Sequence, residues 1–391
     1  MKKVAIVYHY LAHYRLPIFR EMMQSNYIEY SFFSGISTEI PIKTIDPRFR
    51  GLPEKEGGLR WYHLENRWLF RKKFLWQSGL LQIALQSDFD SFVFLGTPYH
   101  LSTWLAALIA RIRGKKVYYW MHGVHKDKLR FGDYIKLFVF YKIAHGFFLY
   151  GNRSAQILKK YKVKSDDNIH VVYNSLDYKK MFNHRSLVSS NAILNYRNKY
   201  FKNSIIPIIV FIGRLNETKC INLLLEAQKK LRIKYNKDVF NILIVGDGEE
   251  RFNLEKLTQS YNLQNNVIFL GVIYDELSNS ELIKNADLCV TPGEVGLTAI
   301  HSFSYGTPVI SHDNLDIQMP EVEAIKRGLN GELYKYNNVD DLARVIYNWL
   351  IHNPIKNQSI ANECFKLVDS CFNPYYQIKV FDSVLNNNER I

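Results

Sequence analysis

Arg214 and Lys219 stand five positions apart in FIGRLNETKCINLLLEA, either side of a short loop between an apolar run and a helical one. Two cations beside a helix N-terminus can act together on one anion, and the forked donors of arginine suit a phosphate. The alternative is a pair of solvated loop charges. A second place of this kind is TPGEVGLTAIHSFSYGTPVIS at 291–311. There Gly293 and Gly296 allow a tight turn with close backbone approach. Leu297 to Tyr305 reads as a helix, Gly306 as its stop, and Pro308 precedes the next strand. A strand, a glycine turn and a helix N-terminus leave N–H groups pointing outward, which is an anion site in waiting. The third place, VGDGEERFNLEKL, carries Gly246 and Gly248 but no third glycine. It reads as a mainly structural strand-to-helix turn, with Glu249 and Glu250 as first-turn acids.

These residues need a scaffold that brings loop ends together. Strand-like and helix-like segments alternate in two series, KKVAIVYHY to NIHVVYNSLD and IIPIIVFIGRL to TPVISHD. Apolar strands alternating with helices predict parallel sheets covered on both faces, an α/β architecture. At 391 residues the chain is long for one core. The expected division is an N-terminal domain over 1–182, a polar linker over 183–203 and a C-terminal domain over 204–373, with a cleft between the two domains. The segment from about 374 to 391 reads as a helix after Pro374. Open parallel sheets bind ligands at the C-terminal ends of their strands. That rule selects His122 after KKVYYWM, Arg214 after IIVFIG, Asp247 after NILIVG, and Gly293 to Gly296 after ADLCVTP.

The charge is one-sided. Residues 1–182 hold 29 Lys and Arg against 14 Asp and Glu, whereas 183–391 hold 22 against 23. The basic half calls for an anionic partner: nucleic acid, anionic lipid or a phosphorylated substrate. Cys220, Cys289, Cys364 and Cys371 have no metal spacing and read as reduced thiols of a cytoplasmic protein. MKKVAIVYHYLAHYR is too short and too broken an apolar stretch for a signal peptide, and no run of about 18 apolar residues predicts a spanning helix.

The ordered series GR-x4-K, VGDG, NNVIFLG, ADLCVTPG and GL-x8-G-x-PVI resembles the family 4 glycosyltransferases, most closely over 205–350. HYRLPIF, WMHG and VVYNSLD match more loosely. The resemblance implies a GT-B fold, with two Rossmann-like domains facing across a cleft and the helix of about 374–391 crossing back onto the first domain. It implies a metal-independent transferase, without cofactor, that retains anomeric configuration. Nucleotide-sugar would lie on the C-terminal domain and acceptor on the N-terminal one. Arg214 and Lys219 match the family's phosphate-binding pair. Gly213, Gly246, Gly293, Glu294, Gly296, Leu297 and Thr298 fall on its donor-contacting segments. The family brackets its turn with two glutamates, the first facing the sugar and the second the ribose. Here Gly293 and His301 occupy those positions, and Glu294 is one residue late. His301 can hold a ribose hydroxyl. His122 matches a histidine near the donor sugar, with His125 as a neighbour easily confused with it; Lys219, Arg214, His122 and Glu294 are the catalytic candidates.

On the acceptor side, Arg15 is either a phosphate contact or a surface arginine at a helix start. Residues 60–76, RWYHLENRWLFRKKFLW, interleave Arg71, Lys72 and other cations with aromatic rings. That composition suits an anionic membrane interface; it also suits single-stranded nucleic acid, or a helix–loop that buries its rings. The favoured expectation is an inner-leaflet membrane surface and a polyprenyl-diphosphate-linked glycan acceptor in capsule, O-antigen, lipopolysaccharide or exopolysaccharide synthesis, without nucleic acid. The other readings are a nucleotide-sugar 2-epimerase, a donor-binding homologue without catalysis, and a nucleic-acid-binding protein with a degenerate Rossmann pair.

Overall fold

A computed structural model describes residues 1–36, 42–129, 131–187, 193–353 and 357–386. The chain divides into two compact units, Met1–Asp177 with Asn373–Ile391, and Tyr178–Phe372.

In the first unit, β1 (Lys2–Tyr10), β2 (Ile28–Gly35) and β3 (Trp61–His63) run outward from the middle of a parallel sheet. A hairpin of β4 (Glu65–Leu69) and β5 (Phe74–Ser78) intervenes. The chain then returns to the other side of β1 with β6 (Ser91–Leu95), β7 (Lys116–Met121), β8 (Gly146–Leu149) and β9 (Ile169–Val171). The order β3-β2-β1-β6-β7-β8-β9 therefore reverses between β1 and β6. Val4 to Val7 are buried whichever way they point, because both sheet faces are covered.

The stretch read as membrane interface or helix–loop is largely this hairpin. Asn66 Nδ2 donates to the His9 carbonyl at 2.6 Å and Gln77 Nε2 to that of Tyr8 at 3.0 Å, so the hairpin roofs the end of β1. At its tip Phe70, Arg71 and Lys72 all have positive φ, and Phe70 is 77% exposed.

The helix Pro374–Leu385 packs on the first unit. Asn373 caps it by accepting from the Tyr376 N–H, and proline fits its first turn. Phe381 lies 4.1 Å from the Phe148 ring and 4.8 Å from Trp120, in a cluster that also buries Phe19 and Met22. Asp382 accepts from Ser25 and Tyr30.

The second unit has β10 (Ile208–Ile212), β11 (Asn241–Val245), β12 (Val267–Gly271), β13 (Leu288–Val290), β14 (Val309–His312) and β15 (Gly331–Tyr334). Their order, β12-β11-β10-β13-β14-β15, reverses between β10 and β13. The stretch expected as linker differs from that reading. It carries the end of the helix Tyr178–Leu187 and the helix Ile193–Tyr200. Arg197 Nη2 contacts both oxygens of buried Asp287 at 2.7 and 2.8 Å, fastening the second helix beside β13. One polar residue of the expected linker, Arg197, is thus the partner of a buried acid. No helix of the described residues is long and apolar enough to cross a membrane.

Candidate functional site

The reversal between β10 and β13 opens a crevice at the strand ends, the place where doubly wound sheets take ligands. Gly213 and Arg214 follow β10, and Thr291 to Glu294 follow β13. Two features close the crevice behind them. Thr298 Oγ1 donates to the Ile212 carbonyl at 2.9 Å, tying the helix Leu297–Ser304 to the end of β10. The N–H groups of Gly293 and Glu294 donate to the carbonyls of Lys219 and Thr218 at 2.9 and 3.0 Å.

Backbone lies on backbone there, which explains the departure at position 293. A Cβ on Gly293 would stand 1.9 Å from the Thr218 carbonyl oxygen and 2.7 Å from the Lys219 carbonyl carbon. No glutamate fits without moving the loop. The turn is also braced by residues the sequence did not single out. Tyr334 donates to the Pro292 carbonyl at 2.7 Å, Ser311 to that of Gly293 at 3.1 Å, and buried Gln318 accepts from the Val295 N–H at 2.7 Å. Only the fold brings 311, 318 and 334 to one turn, so spacing along the chain carried no signal for them.

Lys219 donates from Nζ to the Glu294 carbonyl. Gly296 has φ 51°, and a Cβ there would lie 3.9 Å from that ammonium. The ammonium therefore sits at the start of the helix Leu297–Ser304, where the dipole and outward N–H groups of Leu297 and its neighbours favour an anion. Burial lowers the Lys219 pKa from the ordinary lysine value, and the carboxylates of Glu294 and Glu321 work against that shift. Glu294 thus faces the cation rather than standing alone in the turn. Arg214 is exposed and reaches Glu249 at 3.2 Å, a surface pair with little hold on it. It is free to turn to a stronger anion.

Gly246 and Gly248 act on the neighbouring loop. Their Cβ positions would lie 1.8 Å from the Gly213 carbonyl and 2.3 Å from that of Leu215. Glycine there lets the loops after β10 and β11 stack, so Gly246 shapes the crevice through Gly213. Along the helix from the turn, His301 Nε2 meets Glu276 of the helix Glu276–Asn285.

The first unit holds a second group. His122 follows β7 and keeps solvent access, with its ring 4.7 Å from Tyr150. Surrounding protein first, then the charges of His125 and Arg15, hold its pKa well below the ordinary histidine range. Arg15 is buried, 7% exposed, and donates from Nη2 to the Tyr150 hydroxyl. The reading of Arg15 as a surface arginine is therefore wrong: rings from β1, from β7 and from Tyr150 just after β8 enclose it. Arg71 and Lys72 sit apart at the hairpin tip and are exposed.

With this geometry in hand, comparison with known proteins is informative. Residues 193–366 match the family model of glycosyl transferases, group 1. An uncharacterized glycosyltransferase of Methanocaldococcus jannaschii is 27% identical over 50% of this chain and 49% of its own length. The lipopolysaccharide core biosynthesis glycosyltransferase LpsE of Rhizobium meliloti is 26% identical over 39% of this chain and 42% of its own. The chain thus spans about half or less of the length of these relatives. The crystal structure of Anabaena HepE in complex with UDP superposes with a TM-score of 0.70 at 16% identity, covering 98% of this chain and 100% of that one. The fold is GT-B, with two Rossmann-like parallel-sheet domains.

Proposed function

We propose that this protein is a retaining, metal-independent glycosyltransferase that moves a sugar from a nucleotide diphosphate to a lipid-linked glycan in cell-surface polysaccharide synthesis. The observation that carries the reading is the placement of Lys219 at the start of the helix Leu297–Ser304, with Arg214 at the end of β10. Breaking a glycosyl–phosphate bond builds negative charge on the leaving diphosphate. A fixed ammonium, an exposed guanidinium and a helix N-terminus would donate to that charge as it develops. A braced turn would hold the helix N-terminus and the ammonium bound to it with little reorganisation during reaction.

Gly213, Gly293, Gly296, Leu297 and Thr298 would line the diphosphate, Glu294 would border the sugar, and His301 would hold the ribose. His122, kept neutral, would face the reacting sugar. The acceptor would lie on the first unit, whose basic excess favours an anionic membrane surface at the inner leaflet. A glycosyltransferase of lipopolysaccharide core synthesis among the relatives supports that acceptor class.

Calorimetric titration with UDP and GDP tests the reading. Saturable binding of one nucleotide, lost in Arg214→Ala and Lys219→Ala, is expected. A folded protein that binds neither overturns it.

A further inference from the structure

Arg15 stands in the first loop after β1, at the C-terminal rim of the first sheet. Its guanidinium carbon lies 4.9 Å from the Trp120 ring centre, 5.1 Å from Tyr150, 5.2 Å from Tyr8 and 5.7 Å from Tyr14. Trp120 comes from β7, Tyr150 follows β8, and Phe381 of the C-terminal helix backs Trp120. Among the described residues, its hydrogen bond goes to a neutral phenol and no carboxylate reaches it.

A guanidinium has five donors, and a buried cation is costly unless it is paired. Cation–π contact returns part of that cost but leaves donors unmatched. The groups around it are neutral or cationic rather than acidic. His122 packs on Tyr150, His125 is 6.1 Å from His122, and Arg153 donates to the His125 carbonyl. Asp127, the nearby acid, is paired with Lys160 at 2.7 Å. An arginine held rigidly at a ligand-binding rim without its own counter-ion is built for someone else's anion.

We propose that Arg15, oriented by Tyr150 and flanked by His122, is a phosphoryl-binding site of the first unit. It rests on the glycosyltransferase reading only for the source of the phosphate, which is the diphosphate of a lipid-linked acceptor or that of the donor. Arginine suits a phosphate through two parallel N–H donors, and the rings fix its plane in advance.

The test uses the full chain carrying Arg214→Ala and Lys219→Ala, so that the second unit contributes no binding. Inorganic pyrophosphate is titrated by calorimetry, and saturable binding is expected. Adding Arg15→Met keeps the stem among the rings and removes the charge. It should weaken binding by at least about tenfold, the effect of one or two charge-assisted hydrogen bonds, with the melting temperature kept or raised. Undiminished affinity in Arg15→Met overturns the proposal, as does the absence of saturable binding in its parent. If Arg15→Met does not fold, Tyr150→Phe decides, since it frees the guanidinium without emptying the box. A several-fold loss supports the site, and unchanged affinity overturns it. Farnesyl diphosphate binding more tightly than UDP assigns the site to the acceptor, and the reverse order to the donor; both outcomes uphold the phosphoryl chemistry. Because the background lacks Arg214 and Lys219, failure here leaves the nucleotide reading standing, and failure of the nucleotide titration leaves this site standing.

Discussion

His301 Nε2 lies 2.8 Å from Oε1 of Glu276, and the Tyr305 hydroxyl donates to the same oxygen at 2.6 Å. With the carboxylate ionised, the ring nitrogen facing it carries a proton, so the neutral ring offers Nδ1 as an acceptor. A histidine fixed in this way can receive a hydroxyl hydrogen. Replacing His301 by glutamate would set two carboxylates against each other. His301→Glu should lower the melting temperature, and adding Glu276→Gln should recover much of the loss. A double-mutant cycle by denaturant unfolding should give a coupling of about 0.5–3 kcal/mol; additive effects would show that the pair is not coupled.

The same pair has a pH signature. Burial pushes the Glu276 carboxyl up, but the charge of His301 and the hydrogen bonds from His301 and Tyr305 outweigh it, leaving the pKa below the ordinary value. A carboxyl depressed by folding contributes stability that is complete above its unfolded pKa, about 4.3, and is lost as pH falls through the folded value. Urea melts of the wild type and Glu276→Gln should differ at pH 7 and converge toward pH 3. A gap that stays constant over this range would contradict the linkage.

Gly293 cannot take a side chain where it stands. Gly293→Ala must push the turn off the Thr218 and Lys219 backbone, breaking hydrogen bonds of 2.9 and 3.0 Å. Nucleotide affinity should fall together with melting temperature, and Gly293→Glu should be worse despite restoring the residue expected from the family resemblance. Full affinity in Gly293→Ala would mean that the turn does not position the donor.

Lys219→Met should leave the fold intact while removing the fixed positive charge. In a sugar-transfer assay it should raise the barrier by about 2.7–4 kcal/mol, about 10²–10³ in kcat. The wild-type rate should be unchanged by a chelator. A rate abolished by EDTA and restored by a divalent cation would refute metal independence.

Phe381→Ala removes a ring packed against Phe148 and Trp120. A cost of about 3–5 kcal/mol is expected for such a truncation, and deleting 374–391 should cost more. Denaturant midpoints measure both; a deletion with wild-type stability would show that the helix is dispensable.

How much of this was legible in the sequence depends on where the partners lie. Apolar runs such as NILIV and IIVFI announce buried parallel strands by themselves, so the alternation of elements was readable. Gly-x-Pro punctuation likewise located the turn after β13. The hairpin was not readable, because ENRWL mixes charge and aromatic side chains and its alternation is only half buried. The sequence left Arg15 open between a phosphate contact and a surface charge, since the rings that bury it come from positions 8, 14, 120 and 150. Glu276 was invisible as a site residue because its partner stands 25 positions on, on the following helix, and chain spacing does not encode that meeting.

The return of the last helix to the first unit bears on how the molecule is born. Val380, Phe381 and Leu385 belong to the same cluster as Val4, Ile6 and Tyr8. A ribosome makes residues 178–372 between them, which takes on the order of 10–40 s at about 5–20 residues per second. Through that interval the nascent first unit carries an unfilled apolar face beside Trp120 and Phe148, while the second unit can already fold. Chaperone demand during synthesis should therefore fall on the half of the chain that emerges first.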